Sequence, residues 1–293
     1  MSNDPSTPSS EAPKSLVDKV GVALPIALTA IATAFAGMST SELQYSMFWR
    51  SYSAQDQAKA TSQWTLAGFK RDRSLICQST AAQLRATAGD SANPFARVPA
   101  EGEDRLALEW LAGKGPPSAK LPEIGDENLR QLLVDIQARK PETELLKQAA
   151  KVPAKNINDA LDAAEKAIEE NDRAWDPTVK SAAKLVAETG KENRTVAQAA
   201  GFELEQRRYR AESNLNQELG YLYEARVKIS SNQSEKHQRK SRNFFYAMLA
   251  AQIGATIAAL AQARKQKSVL WAVAGGAGVV ALIVGAYVYL VDM

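Results

Sequence analysis

The sequence SVLWAVAGGAGVVALIVGAYVYLV, residues 268–291, contains no charged side chain. Two further stretches share this property, VGVALPIALTAIATAFAGMSTS at residues 20–41 and NFFYAMLAAQIGATIAALAQA at residues 243–263. Each has the length of about 20 residues that an α-helix needs to cross the hydrocarbon core of a bilayer. The sequence therefore predicts three transmembrane helices, at 19–41, 243–263 and 268–291.

The remainder of the chain is charged and offers few residues for chemistry. The net charge of +3 is too small to indicate a nucleic-acid partner. Because Cys77 is the single cysteine, an intramolecular disulfide is excluded. Because His237 is the single histidine, the sequence argues against most types of zinc site and against a Ser/His/Asp catalytic triad. We therefore expect no catalytic, metal-binding or cofactor-binding residues, and a protein that is not an enzyme.

The placement of proline divides the region between the first two stretches. No proline lies between Pro25 and Pro94, and none follows Pro177. Because proline interrupts helix interiors, the chain can hold two very long helices with a broken section between them. We predict an all-α protein: three transmembrane helices, a long antiparallel, coiled-coil-like helical stalk outside the membrane, and a tip of short helices. The predicted parts outside the membrane are a disordered tail at 1–18, a first stalk helix at 42–90, a proline-rich tip at 91–190, a second stalk helix at 191–242 and a basic turn at 264–267.

Apolar spacing gives the expected packing of these helices. Leu215, Leu219, Leu222 and Ile229 follow the alternating spacing of a helix-on-helix seam. In the first stalk helix the expected stripe is irregular and comprises Met47, Phe48, Tyr52, Trp64, Leu66, Leu75, Ile76 and Leu84. In the tip, Asp126 is expected to cap a helix, and Pro177 to separate helices at 158–174 and 179–186. No segment shows strand periodicity, so almost no sheet is predicted.

Three sets of residues are expected to act at the membrane. Amphipathic rings prefer the headgroup zone, and the predicted interface belt is Tyr45, Phe48, Trp49, Tyr52, Phe244, Phe245, Tyr246, Trp271, Tyr287 and Tyr289. The basic residues expected at lipid headgroups are Arg239, Lys240, Arg242, Arg264, Lys265 and Lys267. The small residues expected to let helices pack closely are Ala247, Ala251, Gly254, Ala258, Ala274, Gly278, Ala281 and Gly285.

Positive charges near the membrane predict its orientation. The turn at 264–267 carries three positive charges, and Lys14 and Lys19 precede the first stretch, which favours a cytoplasmic N-terminus and turn. The run 237–242 argues for the opposite orientation. We predict that the central region lies outside the cytoplasm. The first stretch also has the pattern of a cleavable signal peptide, but its uncharged run continues past the candidate cut after residue 36, which favours an uncleaved anchor.

One part of the chain resembles a known family. The helix LQYSMFWRSYSAQDQAK at residues 43–59 follows the first stretch, and a short basic turn separates two closing spans. This arrangement resembles an uncharacterised family of bacterial membrane proteins, the domain of unknown function catalogued under number 4337. The resemblance covers about residues 15–85 and 235–290. It implies a bacterial inner-membrane location and no particular activity.

These observations favour a non-enzymatic, membrane-anchored scaffold or partner-binding component. Its partners are expected to be the lipid bilayer, further copies of the same chain, and a protein bound at the tip, residues 90–190. The alternative is an oligomeric channel or a membrane-permeabilising effector. That alternative needs a polar face in the membrane, where the notable polar residues are Thr29, Thr33, Gln252 and Thr256.

Overall fold

A computed structural model describes residues 16–88, 94–95, 101–114, 121–263 and 269–291, with the side chains of residues 16–20 and 291 left aside. The helices within these ranges are α1 (Leu16–Ala88), α2 (Gly102–Leu111), α3 (Glu127–Gln137), α4 (Glu142–Ala149), α5 (Ala154–Glu188), α6 (Arg194–Ala263) and α7 (Leu270–Val291). A short 3-10 turn at Lys191–Asn193 precedes α6. No strand occurs in the described ranges, so the prediction of an all-α protein is confirmed there.

Three helices, α1, α6 and α7, are long and apolar enough to cross a membrane. The expected basic turn at 264–267 and most of the expected tail, residues 1–15, lie outside the described residues. The last residues of that predicted tail are helical, because α1 already begins at Leu16. As expected from the absence of proline, α1 and α6 are very long, with 73 and 70 residues.

The tip differs from the prediction in one helix. We expected a break at Pro177, but α5 continues through it for 35 residues. A proline removes one backbone donor and disturbs one turn, which costs about 3 kcal/mol. Trp175, Thr178 and Ala182 are buried on both sides of Pro177, and this burial offsets the local loss. Helix α4 was not predicted from the sequence. The cap of α3 is confirmed, since the Asp126 side chain accepts from the Leu129 N–H at 2.6 Å.

The chain divides into two compact units. The terminal unit comprises Met1–Trp49 and Gln233–Met293, and the central unit comprises Arg50–Asn232. The core of the terminal unit joins residues of α1, α6 and α7, among them Phe35, Phe244 and Val288.

The central unit has two apolar cores. The larger joins α3, α5 and α6 through side chains such as Leu132, Leu161 and Leu222. The smaller joins α2, α5 and α6 around Trp110 and Trp175, whose ring centroids lie 4.7 Å apart. All four residues of the expected α6 seam are buried, and Leu219, Leu222 and Ile229 belong to the larger core.

The buried face of α1 is not the apolar stripe that we expected. Met47, Phe48, Leu66, Leu75 and Ile76 are exposed. The residues that α1 buries in the central unit are instead small, and Ala60, Ala67, Ser74 and Ala81 recur every seven residues. For these five residues the expectation was wrong, because small side chains let two helices pack closely. Trp64 of the expected stripe does pack against the larger core.

Hydrogen bonds between α1 and α6 show how closely these small residues bring the two backbones. In the central unit, Ser213 Oγ donates to the Ala67 carbonyl at 2.8 Å, and Ser74 Oγ donates to the Gln206 carbonyl at 3.1 Å. In the terminal unit, Ser234 Oγ donates to the Ser46 carbonyl at 3.0 Å. A hydroxyl on the first side-chain carbon reaches a carbonyl of another helix only when the backbones are close. Within each unit, the α6 residue that takes part in such a contact has a lower number when its α1 partner has a higher one.

Candidate functional site

The most buried ion pair of the central unit joins Asp56 of α1 to Arg226 of α6. Asp56 is 1% exposed, and the Arg226 guanidinium donates to both of its carboxylate oxygens, with Nε 2.8 Å from Oδ2. The guanidinium carbon also lies 5.3 Å and 5.1 Å from the ring centroids of Tyr52 and Tyr223. Burial alone lowers the pKa of Arg226, but the hydrogen bonds and charge of Asp56 raise it overall. This two-pronged contact fixes the two helices side by side.

Tyr223 connects this ion pair to α5. Its hydroxyl donates to the Glu165 carboxylate. Burial, followed by the hydrogen bond and charge of Glu165, raises the pKa of Tyr223 well above its usual range. The phenol is therefore a neutral donor and not a base at physiological pH, and the contact is structural.

A second charged cluster joins α1, α5 and α6. Glu212 is 5% exposed and pairs with Lys70 at 2.9 Å and with Arg208 at 2.7 Å. Arg208 also pairs with Asp176 at 2.7 Å. Burial and the nearby charge of Glu212 raise the pKa of Asp172, whose Oδ1 is buried without a hydrogen-bond partner. These ion pairs join side chains of α1, α5 and α6, so the cluster contributes to the packing of the three helices.

The two residues best suited to chemistry are both held by carboxylates. Cys77 is 6% exposed with Sγ 3.7 Å from Glu205 Oε2, and burial together with Glu205 raises the pKa of its thiol. His237 Nδ1 lies 2.6 Å from Glu42 Oε2, and its ring stacks on Tyr45 with centroids 5.4 Å apart. Within the described residues, no group of three or more His, Cys, Asp or Glu side chains is placed to hold a metal ion.

The expected interface belt divides into exposed and buried residues. Most of its large rings are exposed: Tyr45, Phe48, Phe245, Tyr246, Tyr287 and Tyr289. Trp49 and Trp271 are half-buried, and Tyr52 packs against Arg226 in the central unit. Phe244 differs from the rest, because it is 5% exposed and stacks on Phe35 at 6.1 Å within the core of the terminal unit.

The expected headgroup residues are described only in part. Arg239, Lys240 and Arg242 lie within about one turn of α6 in the terminal unit. Arg239 and Arg242 line a groove there together with apolar side chains. Arg264, Lys265 and Lys267 lie outside the described residues.

The expected packing residues all lie inside the terminal unit. The alanines of this set, Ala247, Ala251, Ala258, Ala274 and Ala281, are fully buried. The glycines stand where other helices approach most closely. A Cβ atom added at Gly254 would lie 3.1 Å from the Ala274 carbonyl oxygen, one at Gly278 would lie 2.7 Å from Leu28, and one at Gly285 would lie 2.3 Å from the Phe35 ring.

Surface grooves of the tip include two that lie along α5. One, of about 460 Å³, lies between residues 121–126 and α5 and includes Asn156 and Asp159 in its lining. The other, of about 230 Å³, lies between α5 and α6 and is mainly apolar, with Val179, Val186 and Phe202 in its lining. Both grooves include residues of the segment 90–190, where the sequence predicts a bound protein, and that binding stays a prediction.

The central unit also exposes an apolar stripe that the sequence analysis did not isolate. On α1, Leu66, Phe69 and Ile76 are 41%, 65% and 63% exposed. At ~100° of rotation per residue, these three positions share one side of the helix, well away from the small residues that face α6. The signal in the sequence was the interval of seven residues between Phe69 and Ile76. We call Leu66, Phe69 and Ile76 the α1 stripe.

Comparison with known proteins adds no relative to this description. The chain matches no family model, and searches of curated proteins and solved structures found no match to it either. The resemblance to the family numbered 4337 therefore stays a prediction.

Proposed function

We propose that this protein is a non-enzymatic, membrane-anchored scaffold whose central unit binds further copies of the same chain. Three apolar helices supply the anchor, and we take the inner membrane of a bacterium as its location. The observation that carries the proposal is the α1 stripe, which leaves large apolar side chains exposed on a helix outside the uncharged stretches. Exposed apolar patches of this kind mark interaction surfaces.

We propose further that α1 and α6 form an antiparallel, coiled-coil-like stalk. The hydroxyl-to-carbonyl bonds between the helices and the reversed order of their partners support this arrangement. A strict interval of seven residues in the small row of α1 is the repeat that drives left-handed supercoiling. Gly220 of α6 extends the pattern, because the Trp64 ring of α1 lies 3.1 Å from where a Cβ atom would stand.

A second copy is the occupant that best fits the α1 stripe. Copies anchored in one membrane with the same orientation present their α1 helices in parallel. Phe69 and Ile76 are then spaced as the repeating contacts of a parallel helix pair. The same stripe on both partners gives a two-fold interface, the commonest symmetry of homo-oligomers. A further protein bound at the tip grooves is compatible with this assembly.

The small residues of the terminal unit are not the proposed self-association surface. Leu28, Phe35 and Ala274 of the same chain already cover Gly254, Gly278 and Gly285. The association is therefore assigned to the central unit.

Two tagged versions of the chain, expressed together, test this function. After membrane solubilisation in mild detergent, purification through one tag should recover the other tag with the wild-type pair. The double substitution Phe69→Ser and Ile76→Ser should reduce this recovery several-fold. The control is Gln57→Ser with Gln78→Ser, which changes exposed polar residues on another side of the same helix. Equal recovery with the stripe variant and with the wild type would refute self-association through the α1 stripe.

A further inference from the structure

A groove of about 610 Å³ lies between α1 and α6 inside the terminal unit. Its charged lining is Arg239, Arg242 and the carboxylate of Glu235, and Leu43 and Phe245 line it with apolar surface. Leu43 and Phe245 are 43% and 45% exposed, so they are accessible from outside the protein.

The position of the groove along the chain is that of a membrane boundary. Arg242 is the last residue before the uncharged stretch 243–263, and Leu43 follows the end of the uncharged stretch 20–41. Both helices therefore change from apolar to charged sequence at the level of the groove. Phospholipid phosphates lie at this level of a bilayer, between the hydrocarbon core and water.

The arginine side chains of the groove can bind an anionic ligand. Arg242 is exposed and makes no ion pair within the described ranges of the chain. Arg239 Nη2 lies 3.5 Å from Glu235 Oε2, and this pair is exposed to solvent on both sides. Exposed pairs of this kind contribute little, so Arg239 can exchange Glu235 for a stronger partner. The planar guanidinium matches a phosphate group with two parallel hydrogen bonds.

The two serine hydroxyls at the base of the groove are not available to bind a phosphate. Ser39 Oγ donates to the Ser241 carbonyl at 2.9 Å, and Ser241 Oγ donates to the Ser39 carbonyl at 2.8 Å. Both hydroxyls are thus used to join the helices. The two arginines are the cationic groups of the lining and the ones assigned to an anion here.

We propose that this groove binds an anionic phospholipid, with its phosphate on Arg239 and Arg242 and an acyl chain along Leu43 and Phe245. The ligand is a lipid and not a free phosphate, because apolar and cationic surfaces lie side by side and meet at the predicted membrane boundary. This site depends on membrane anchorage and not on self-association, so it can fail or succeed independently of the α1 stripe.

Lipid binding to the full-length chain, stripped of lipid and held in a neutral detergent, tests this proposal. Phosphatidylglycerol and phosphatidylcholine with identical acyl chains are titrated while native mass spectrometry counts bound lipid. The wild type should retain phosphatidylglycerol in preference to phosphatidylcholine. The variant Arg239→Gln with Arg242→Gln should lose affinity for phosphatidylglycerol by roughly tenfold or more, because both charge-assisted contacts are removed.

The matched control is Arg130→Gln with Arg173→Gln, which removes the same charge from exposed residues of the central unit. This control should bind phosphatidylglycerol as the wild type does. Equal loss in the control, or equal binding of the two lipids by the wild type, would overturn the proposal. Inorganic phosphate forms a third arm, and competition by millimolar phosphate would assign the site to a free anion instead.

A further measurement uses only the wild type, so its result does not depend on whether a variant folds. A phosphatidylglycerol analogue with a photoreactive group on its acyl chain is bound and irradiated. Labelled peptides should contain Leu43 or Phe245. Labelling distributed evenly over the apolar helices, with none enriched at the groove, would contradict a specific site.

Discussion

Asp56 and Arg226 lie 170 residues apart in the chain and form a two-pronged ion pair in which the carboxylate is 1% exposed. Neither residue stood out in the sequence, since both belong to long charged helices. Their contact is nevertheless the most buried of the ion pairs between the described residues of α1 and α6.

Asp56→Ala should destabilise the central unit by about 3–5 kcal/mol, because it leaves the Arg226 charge half-buried and without its partner. Thermal unfolding of the detergent-solubilised protein measures the effect. Arg173→Ala, which removes an exposed pair with Glu169, should change stability by less than about 1 kcal/mol. Similar losses in the two variants would contradict the structural role assigned to Asp56.

Gly285→Ala should destabilise the terminal unit by about 1–3 kcal/mol, the usual range for overpacking. The new Cβ atom would lie 2.3 Å from the Phe35 ring, which is held against Phe244. Gly276→Ala in the same helix is the control, because no atom lies within 4 Å of its Cβ position. The thermal midpoints of the two variants should differ, and a control as unstable as Gly285→Ala would refute the close packing.

The raised pKa of Asp172 makes a pH-dependent prediction. Burial and the charge of Glu212 favour the protonated acid in the folded state, so the folded protein binds this proton more tightly than the unfolded chain does. The contribution of this group to stability therefore falls as the pH rises from the ordinary carboxyl pKa to the raised one. Asp172→Asn should raise the thermal midpoint at pH 7, and this gain should shrink as the pH falls toward 4. A gain that is independent of pH would contradict the assignment to this carboxyl.

The buried thiol of Cys77 should react slowly with maleimides in the folded protein. Burial and Glu205 raise its pKa, so less thiolate is present at neutral pH than for an exposed cysteine. The labelling rate should continue to rise at pH values above the pKa of an ordinary thiol. Unfolding should make the thiol fully reactive. Fast labelling of the folded protein at pH 7 would show that the thiol is exposed.

The orientation of the central unit is accordingly better tested with an introduced cysteine. In a Cys77→Ser background, Gln57→Cys places a thiol on an exposed position of α1. We expect a membrane-impermeant maleimide to label it in intact spheroplasts. Labelling only after permeabilisation would place the central unit in the cytoplasm.

The sequence was sufficient for the elements whose signal is local. Uncharged stretches and proline positions predicted the long helices α1 and α6 and the apolar helix α7, and the Asp126 cap was readable from its own residue type. The seam of α6 followed from the spacing of Leu215 to Ile229. These features depend on length, charge and periodicity within a single helix.

The parts that could not be predicted depend on pairs of helices. The packing face of α1 consists of Ala60, Ala67, Ser74 and Ala81. These residues can be identified as a packing face only when α6, with Gly220 and Ser213, is known to lie against them. The continuation of α5 through Pro177 depends on burial of Trp175 against α2. The groove at Arg239 and Arg242 needs Leu43 from the other end of the chain, so composition alone predicted basic residues at headgroups but no site.

Photo-crosslinking in native membranes tests most directly the claim that the α1 stripe joins copies of this chain. A benzophenone amino acid is introduced at Phe69, and separately at Gln57 on another side of the same helix. The account predicts a crosslinked species of twice the chain mass from position 69, confirmed as two copies by peptide mapping, and little from position 57. Capture of a different protein alone at position 69, or no capture at all, would contradict self-association through this stripe.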